Sequence, residues 1–388
     1  MSQPLRLVFL GLSITSSWGN GHATTYRALV RALHSLGHEI TFLERDVPWY
    51  AENRDELAPA GCTVELYSSL EDLQARFEPL LRQSDAVLVG SYVPDGAEVL
   101  EWAIATARGL TLFYDIDTPI TLARLEANEK GYIARESIPK LDAYLSFTGG
   151  PTLELIEQQL GAPVALPLYC SVDAELYTAG GVAPHRDLGY LGTYSADRQP
   201  TLDRLLTEPA RKFAEGRFVV AGPCYPELPW PANVERVEHV PPGQHPQFYS
   251  SLRYTLNVTR ADMVRLGYSP SVRLFEAAAC GVPIISDRWE GMDQFFEPQS
   301  EILLADTTEE VLEYLRTLPE TTRQAVAQGA RNRVLRQHTS IHRARQLEHY
   351  LRELAGGRAR ALRASRAQEG RPRRASESSL AAGTGAEP

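Results

Sequence analysis

Apolar residues in this chain fall into short, nearly unbroken runs. In the first half these are 5–12 (LRLVFLGL), 39–44 (EITFLE), 62–67 (CTVELY), 85–90 (DAVLVG), 110–115 (LTLFYD) and 141–147 (LDAYLSF). Runs of that length between turn-forming residues predict strands buried on both faces. Between them the period changes. In 22–37, Tyr26, Leu29, Leu33 and Leu36 recur at helical spacing, and Gly37 marks the end. Strand–helix alternation of this kind predicts a parallel, doubly wound sheet.

The pattern then starts again, with runs at 187–194, 217–223, 234–240, 252–258, 282–286 and 301–305. Two such series in 388 residues predict two α/β domains facing each other. The expected boundaries are 1–168 and 186–338, joined through a stretch near 165–186 that is rich in turn formers. A helix is expected over 339–354. Residues 355–388 are arginine-rich, then rich in Ala, Gly and Ser, and predict a disordered basic tail.

Composition narrows the class. The chain is 43% hydrophobic and 23% charged, as in ordinary globular proteins. A net charge of −10 gives no electrostatic reason to expect nucleic acid. Cys62, Cys170, Cys224 and Cys280 lie far apart without a C-x-x-C pair, which argues against a disulfide framework and a zinc site. The N-terminal apolar run is too short to cross a bilayer, no other segment is long enough, and a cytoplasmic location is expected.

Ligands of open parallel sheets bind beyond the carboxyl ends of the strands, so the segments after each strand carry the candidate chemistry. In 13–27, Gly19 and Gly21 allow close backbone approach, and the helix start that follows favours an anion. His22 is either a capping histidine or a general base. The G-x-G-x-x-T spacing lacks the third glycine of a dinucleotide fingerprint. Glu44 nevertheless stands near where a ribose-binding acid would be, so NAD is a lesser alternative. Asp115 and Asp117 point to one face if their strand continues, and Asp117 also suits a helix cap. Gly149 and Gly150 follow another strand.

In the second half Gly192 ends a strand, and Arg198 and Arg260 follow strands where a guanidinium can meet a diphosphate. In YSPSVRLFEAAACG, Ser269 is the expected N-cap and Pro270 the first helical residue. Ser269, Ser271 and free backbone N–H groups would then lie beside Arg273, with Glu276 one turn on. The pair is either an anion and ribose site or a surface ion pair worth ~0.3 kcal/mol.

The stretch PSVRLFEAAACGVPIISDRWEGMDQFFEPQSEILLADTTEEVLEYL resembles the C-terminal domain of GT-B glycosyltransferases, in particular the CgeB-like, spore-protein type group. With YLGTYSADRQP and GNGHATTYRAL the resemblance extends over most of residues 5–350. It implies two Rossmann-like domains around a cleft, with a C-terminal helix crossing back to the first. It implies a nucleotide-diphosphate sugar as donor substrate, an acceptor held by the N-terminal domain, and no cofactor or bound metal. Glu276 matches the second of two glutamates eight positions apart in similar retaining enzymes, the one that binds the ribose. Tyr268 stands where the first would be, which departs from that pattern. Arg198 falls in the region of the diphosphate clamp.

On this resemblance the chain is expected to be a glycosyltransferase. Donor contacts are expected from Gly21, Gly192, Arg198, Arg260, Ser269, Ser271, Arg273 and Glu276. His22, Asp115 and Asp117 are the candidate bases for an inverting course; in a retaining course the departing phosphate takes the proton. The Asp115–Asp117 pair has the letters of a metal motif without its context. A sugar-nucleotide epimerase and a non-catalytic nucleotide-sugar-binding module are the alternatives.

Overall fold

The computed structural model describes residues 3–180, 183–358, 363 and 366. The tail expected over 355–388 lies, beyond Arg358 and apart from Arg363 and Arg366, outside the described residues.

Two wholly parallel sheets are present. The first comprises β1 (Arg6–Gly11), β2 (Glu39–Arg45), β3 (Thr63–Tyr67), β4 (Ala86–Gly90), β5 (Leu110–Asp115), β6 (Ala143–Ser146) and β7 (Ala165–Pro167). Its strand order is β3-β2-β1-β4-β5-β6-β7. The second comprises β8 (Arg186–Leu191), β9 (Phe218–Ala221), β10 (Val234–Val237), β11 (Leu252–Asn257), β12 (Ile284–Ser286) and β13 (Leu303–Leu304), in the order β10-β9-β8-β11-β12-β13.

The burial pattern explains why these strands read as unbroken apolar runs. Leu7 and Phe9 of β1 enter one hydrophobic core, while Val8 and Leu10 enter another on the opposite face. Period-two side chains therefore meet helices on both sides, and no polar face is needed. The strand absent from the sequence reading is β7, three residues long and ending in proline, too short for a run to register.

Both sheets reverse direction beside their first strand, between β1 and β4 and between β8 and β11. Loops leaving the two strands at such a point diverge to opposite faces and leave a crevice. The loops after β1, β4, β8 and β11 are thus the ones that the topology brings to the cleft between the lobes.

The chain crosses between lobes twice. Val172, leaving the first lobe, accepts from Ser340 N at 2.9 Å and donates to His338 O at 3.1 Å. Helix Ser340–Ala355 then packs back on helix Gly21–Ser35 of the first lobe. Tyr350 Oη donates to Pro167 O at 3.1 Å. No helix among the described residues is long and apolar enough to cross a membrane.

Candidate active site in the interlobe cleft

Glu44 resolves the first alternative. Its carboxylate is fully buried and accepts from Ser13 Oγ, Thr15 Oγ1 and the backbone N–H groups of Ile14 and Thr15, at 2.6–3.0 Å. Two side chains and two amides consume the acceptor capacity of one carboxylate. Glu44 therefore anchors the loop after β1 and is not offered to a ribose, and the dinucleotide reading loses its acid.

That loop runs into helix Gly21–Ser35. Asn20 is its N-cap, with a side-chain oxygen accepting from His22 N at 3.0 Å. His22 is therefore not the cap. Gly21 faces open space, since a Cβ built there meets nothing within 4 Å.

Gly21 and Gly192, from opposite lobes, line one small cavity of about 60 Å³, together with Arg273. His239 is part of its wall, and Trp18 of the other lobe meets that ring at a tilt of 50°, with centroids 4.7 Å apart. Thr24 and Pro242 are shared with a neighbouring cavity of about 290 Å³, whose wall includes Tyr177 and Glu276.

Glu276 is 1% exposed and lies on helix Val272–Ala279. Arg273 Nη1 donates to its Oε2 at 2.6 Å, Tyr249 Oη to Oε2 at 3.3 Å and Tyr177 Oη to Oε1 at 2.9 Å. The surface ion pair considered from sequence is thus a buried one. Burial opposes the charge on Glu276, but Arg273 and His245 prevail and hold the carboxyl down at about 2. His245 Nε2 lies 3.1 Å from Val240 O, which can only accept, so that nitrogen carries a proton. Arg273 is the partly open member, its side chain 30% exposed and facing the smaller cavity.

The helix start differs from expectation. Its N-cap is Ser271, whose Oγ accepts from Arg273 N at 3.3 Å. Ser269 is 3% exposed and takes a hydrogen bond from Thr148 Oγ1 of the first lobe at 3.0 Å. Its hydroxyl serves the joint between lobes, so it is withdrawn from the helix tip. Pro270 O contacts Cys170 Sγ at 3.2 Å. Tyr268 seals the same joint. Its carbonyl accepts from Gly149 N at 3.0 Å, and its ring fills the space where side chains on Gly150 and Gly291 would stand, 2.4 and 2.2 Å from built Cβ atoms.

Asp115 and Asp117 do not share a face, because β5 ends at Asp115. Asp115 is fully buried, accepting from Tyr144 Oη and from Thr121 Oγ1 at 2.7 Å; burial pushes its carboxyl up to about 6. It faces the core and is no base for a ligand in the cleft. Asp117 occupies the N-cap position of helix Thr118–Glu126 without making a side-chain capping bond. It accepts from Tyr92 Oη at 2.9 Å and lies 3.5 Å from Arg260 Nη1 of the other lobe. Burial raises its pKa, and Arg260 and Tyr92 counter only part of that.

His22 meets Tyr92 edge-on at 5.4 Å. Burial pushes its imidazole down to about 4, so the ring is neutral at physiological pH, and its Nδ1 is buried without a hydrogen-bond partner. Arg198 folds back so that Nη2 donates to Thr193 O at 2.6 Å, beside Gly192. Asp197 next to it accepts from Ala261 N at 2.9 Å, which ties the loop of Arg198 to that of Arg260.

The cleft thus holds two groups. Gly21, Gly192, Arg273 and Glu276 surround the cavities, and His22, Tyr92, Asp117 and Arg260 form a chain across the lobes. Tyr92, Tyr177, Tyr249 and His245 were not singled out in the sequence. They lie 25 to 99 positions from the carboxylates they meet, and no local spacing signals such a contact. Among the described residues no cluster of three or more His, Cys, Asp or Glu is arranged for a metal.

Comparison with known proteins agrees with this architecture. Residues 198–349 match a family model described as glycosyl transferase-like. The fold resembles sucrose-phosphate synthase from Thermosynechococcus elongatus, at 14% identity and a TM-score of 0.68, covering 91% of this chain and 100% of that one. Anabaena HepE, solved with UDP and glucose, matches at 13% identity and a TM-score of 0.66, over 90% and 100%. An alpha-glucosyltransferase solved with UDP-glucose and DNA containing an abasic site matches at 12% identity and a TM-score of 0.67, over 90% and 100%. No curated protein matches the sequence significantly. The chain therefore has the two-lobed α/β fold of GT-B glycosyltransferases, with a glycosyl transferase-like domain in its second lobe.

Proposed function

We propose that this chain transfers a sugar from a nucleotide-diphosphate sugar, held by the second lobe, to an acceptor held by the first. The observation that carries the reading is the convergence of Gly21, Gly192 and Arg273 on one interlobe cavity, with Glu276 fixed behind Arg273. Arg273, Arg198 and Arg260 supply positive charge where a leaving diphosphate gathers negative charge, the role a bound metal plays elsewhere. Ser271 N-caps the helix beside them, and the first amides of that helix add their partial charge. Glu276 Oε1, bonded by Tyr177, retains acceptor capacity toward the larger cavity and is the proposed ribose contact. Asp117 and His22 stand on the acceptor side as the groups that take the incoming proton. The CgeB-like assignment and a cytoplasmic setting belong to the same proposal.

HepE and the alpha-glucosyltransferase were solved with UDP-glucose, which makes uridine the first base to try. The test is a thermal-shift screen of UDP-, GDP-, ADP- and dTDP-sugars against the wild type, Glu276→Ala and Arg273→Gln. One nucleotide class should stabilise the wild type, with the shift reduced in both variants. Equal shifts in all three proteins, or none in any, would remove the donor assignment.

A further inference from the structure

We infer that Tyr92 is a positioning residue that aims both Asp117 and His22 at the reacting end of the cleft; the inference rests on the transfer reading above. Tyr92 follows β4, where the sheet reverses direction, and has a φ of +63°. A bulky aromatic residue adopts that left-handed conformation only when its surroundings hold it there. Here the ring packs on Tyr132 with centroids 4.7 Å apart, and the Arg124 guanidinium lies over it at 5.8 Å.

In this conformation Tyr92 makes two contacts. The ring edge fixes the His22 imidazole at 5.4 Å, and Oη donates to Asp117 Oδ2 at 2.9 Å. The same Oδ2 faces Arg260 of the opposite lobe at 3.5 Å. Asp262 adds negative charge from that lobe, Arg124 positive charge from Asp117's own helix, and Asp115 negative charge from β5 behind. Tyr92 is the neutral group among these that holds Asp117 short of full pairing with Arg260. Without its hydroxyl the carboxylate is free to turn onto the guanidinium, where it neither faces an acceptor nor leaves Arg260 for a diphosphate.

The test uses the full chain and UDP-glucose, with water as acceptor. Water oxygen bonds to the anomeric carbon, the bond from that carbon to the diphosphate breaks, Asp117 takes the water proton and UDP leaves. In Tyr92→Phe, kcat for UDP release should fall about tenfold or more. KM for UDP-glucose should rise less than kcat falls, since only Arg260 of the three diphosphate cations is drawn away while Arg198 and Arg273 keep their places. The acid limb of the kcat profile should move to higher pH, because a hydrogen bond favouring the charged carboxylate is gone. Tyr92→Ala, which also frees His22, should fall further. A wild-type rate and an unmoved acid limb in Tyr92→Phe would overturn the inference while leaving the donor reading intact. No UDP release by the wild type would overturn both.

Discussion

Arg273 and Glu276, three positions apart on one helix, form an ion pair in which the carboxylate is buried and the guanidinium reaches the cleft. Removing one partner strands the other's charge in a poorly solvated site. The pair also links stability to pH. Glu276 is held near 2 in the folded chain against an ordinary 4.5, so the unfolded chain binds more protons between those values. Its contribution is fully present above pH 4.5 and is lost as pH falls toward 2, amounting to about 3 kcal/mol. Glu276→Gln should lower stability at neutral pH by about 3 kcal/mol, and its denaturation midpoint should fall less steeply than the wild type's below pH 4.5. Parallel curves for the two proteins would mean that the pair contributes nothing.

The tilted contact between Trp18 and His239 joins the lobes beside a cavity of about 60 Å³. That volume holds about two waters, whereas a small-molecule site occupies roughly 300–1,000 Å³. The lobes must part at this contact before a nucleotide sugar enters. Trp18 fluorescence should therefore change on mixing with UDP-glucose, and the change should vanish in Trp18→Phe. Trp18→Ala should raise the association rate severalfold in stopped flow. An association rate unaffected by Trp18→Ala would place the entry path elsewhere.

Gly150 has a φ of +57°, and a Cβ there would stand 2.4 Å from the Tyr268 ring. With ψ at −144° the residue sits in a region essentially reserved for glycine, so Gly150→Ala carries both a backbone cost and a collision, together about 2–6 kcal/mol. In the Tyr268→Ala background only the backbone part of about 1–3 kcal/mol should remain. A double-mutant cycle in urea with no coupling between the two positions would contradict the contact across the lobes.

Much of the architecture was legible because doubly covered parallel strands cannot hide: a strand with Val8 and Leu10 in one core and Leu7 and Phe9 in another has no polar positions to blur the run. The glycine loops and the Arg273–Glu276 pair were legible for a related reason, since strand ends and helix starts carry local signals. What failed was allocation. Ser269 has the chemistry of a cap, but Thr148, 121 positions away, claims it. Asp115 and Asp117 read as a pair until the strand stops between them and sends one to the core and the other to the cleft. Glu44 has the identity of a ribose ligand and the surroundings of a loop anchor.

The two interlobe passages run side by side, with Val172 bonded to Ser340 and His338. Two bonded connections lying together act as a single pin. They permit one lobe to swing about that line and resist sliding or twisting, either of which would tear the pair apart. Tyr177 follows Val172 by five residues, so the segment that leaves the pin also carries the bond to Glu276. The connector between the halves thus also braces the acid that anchors Arg273, and the guanidinium is set by the same segment that joins them.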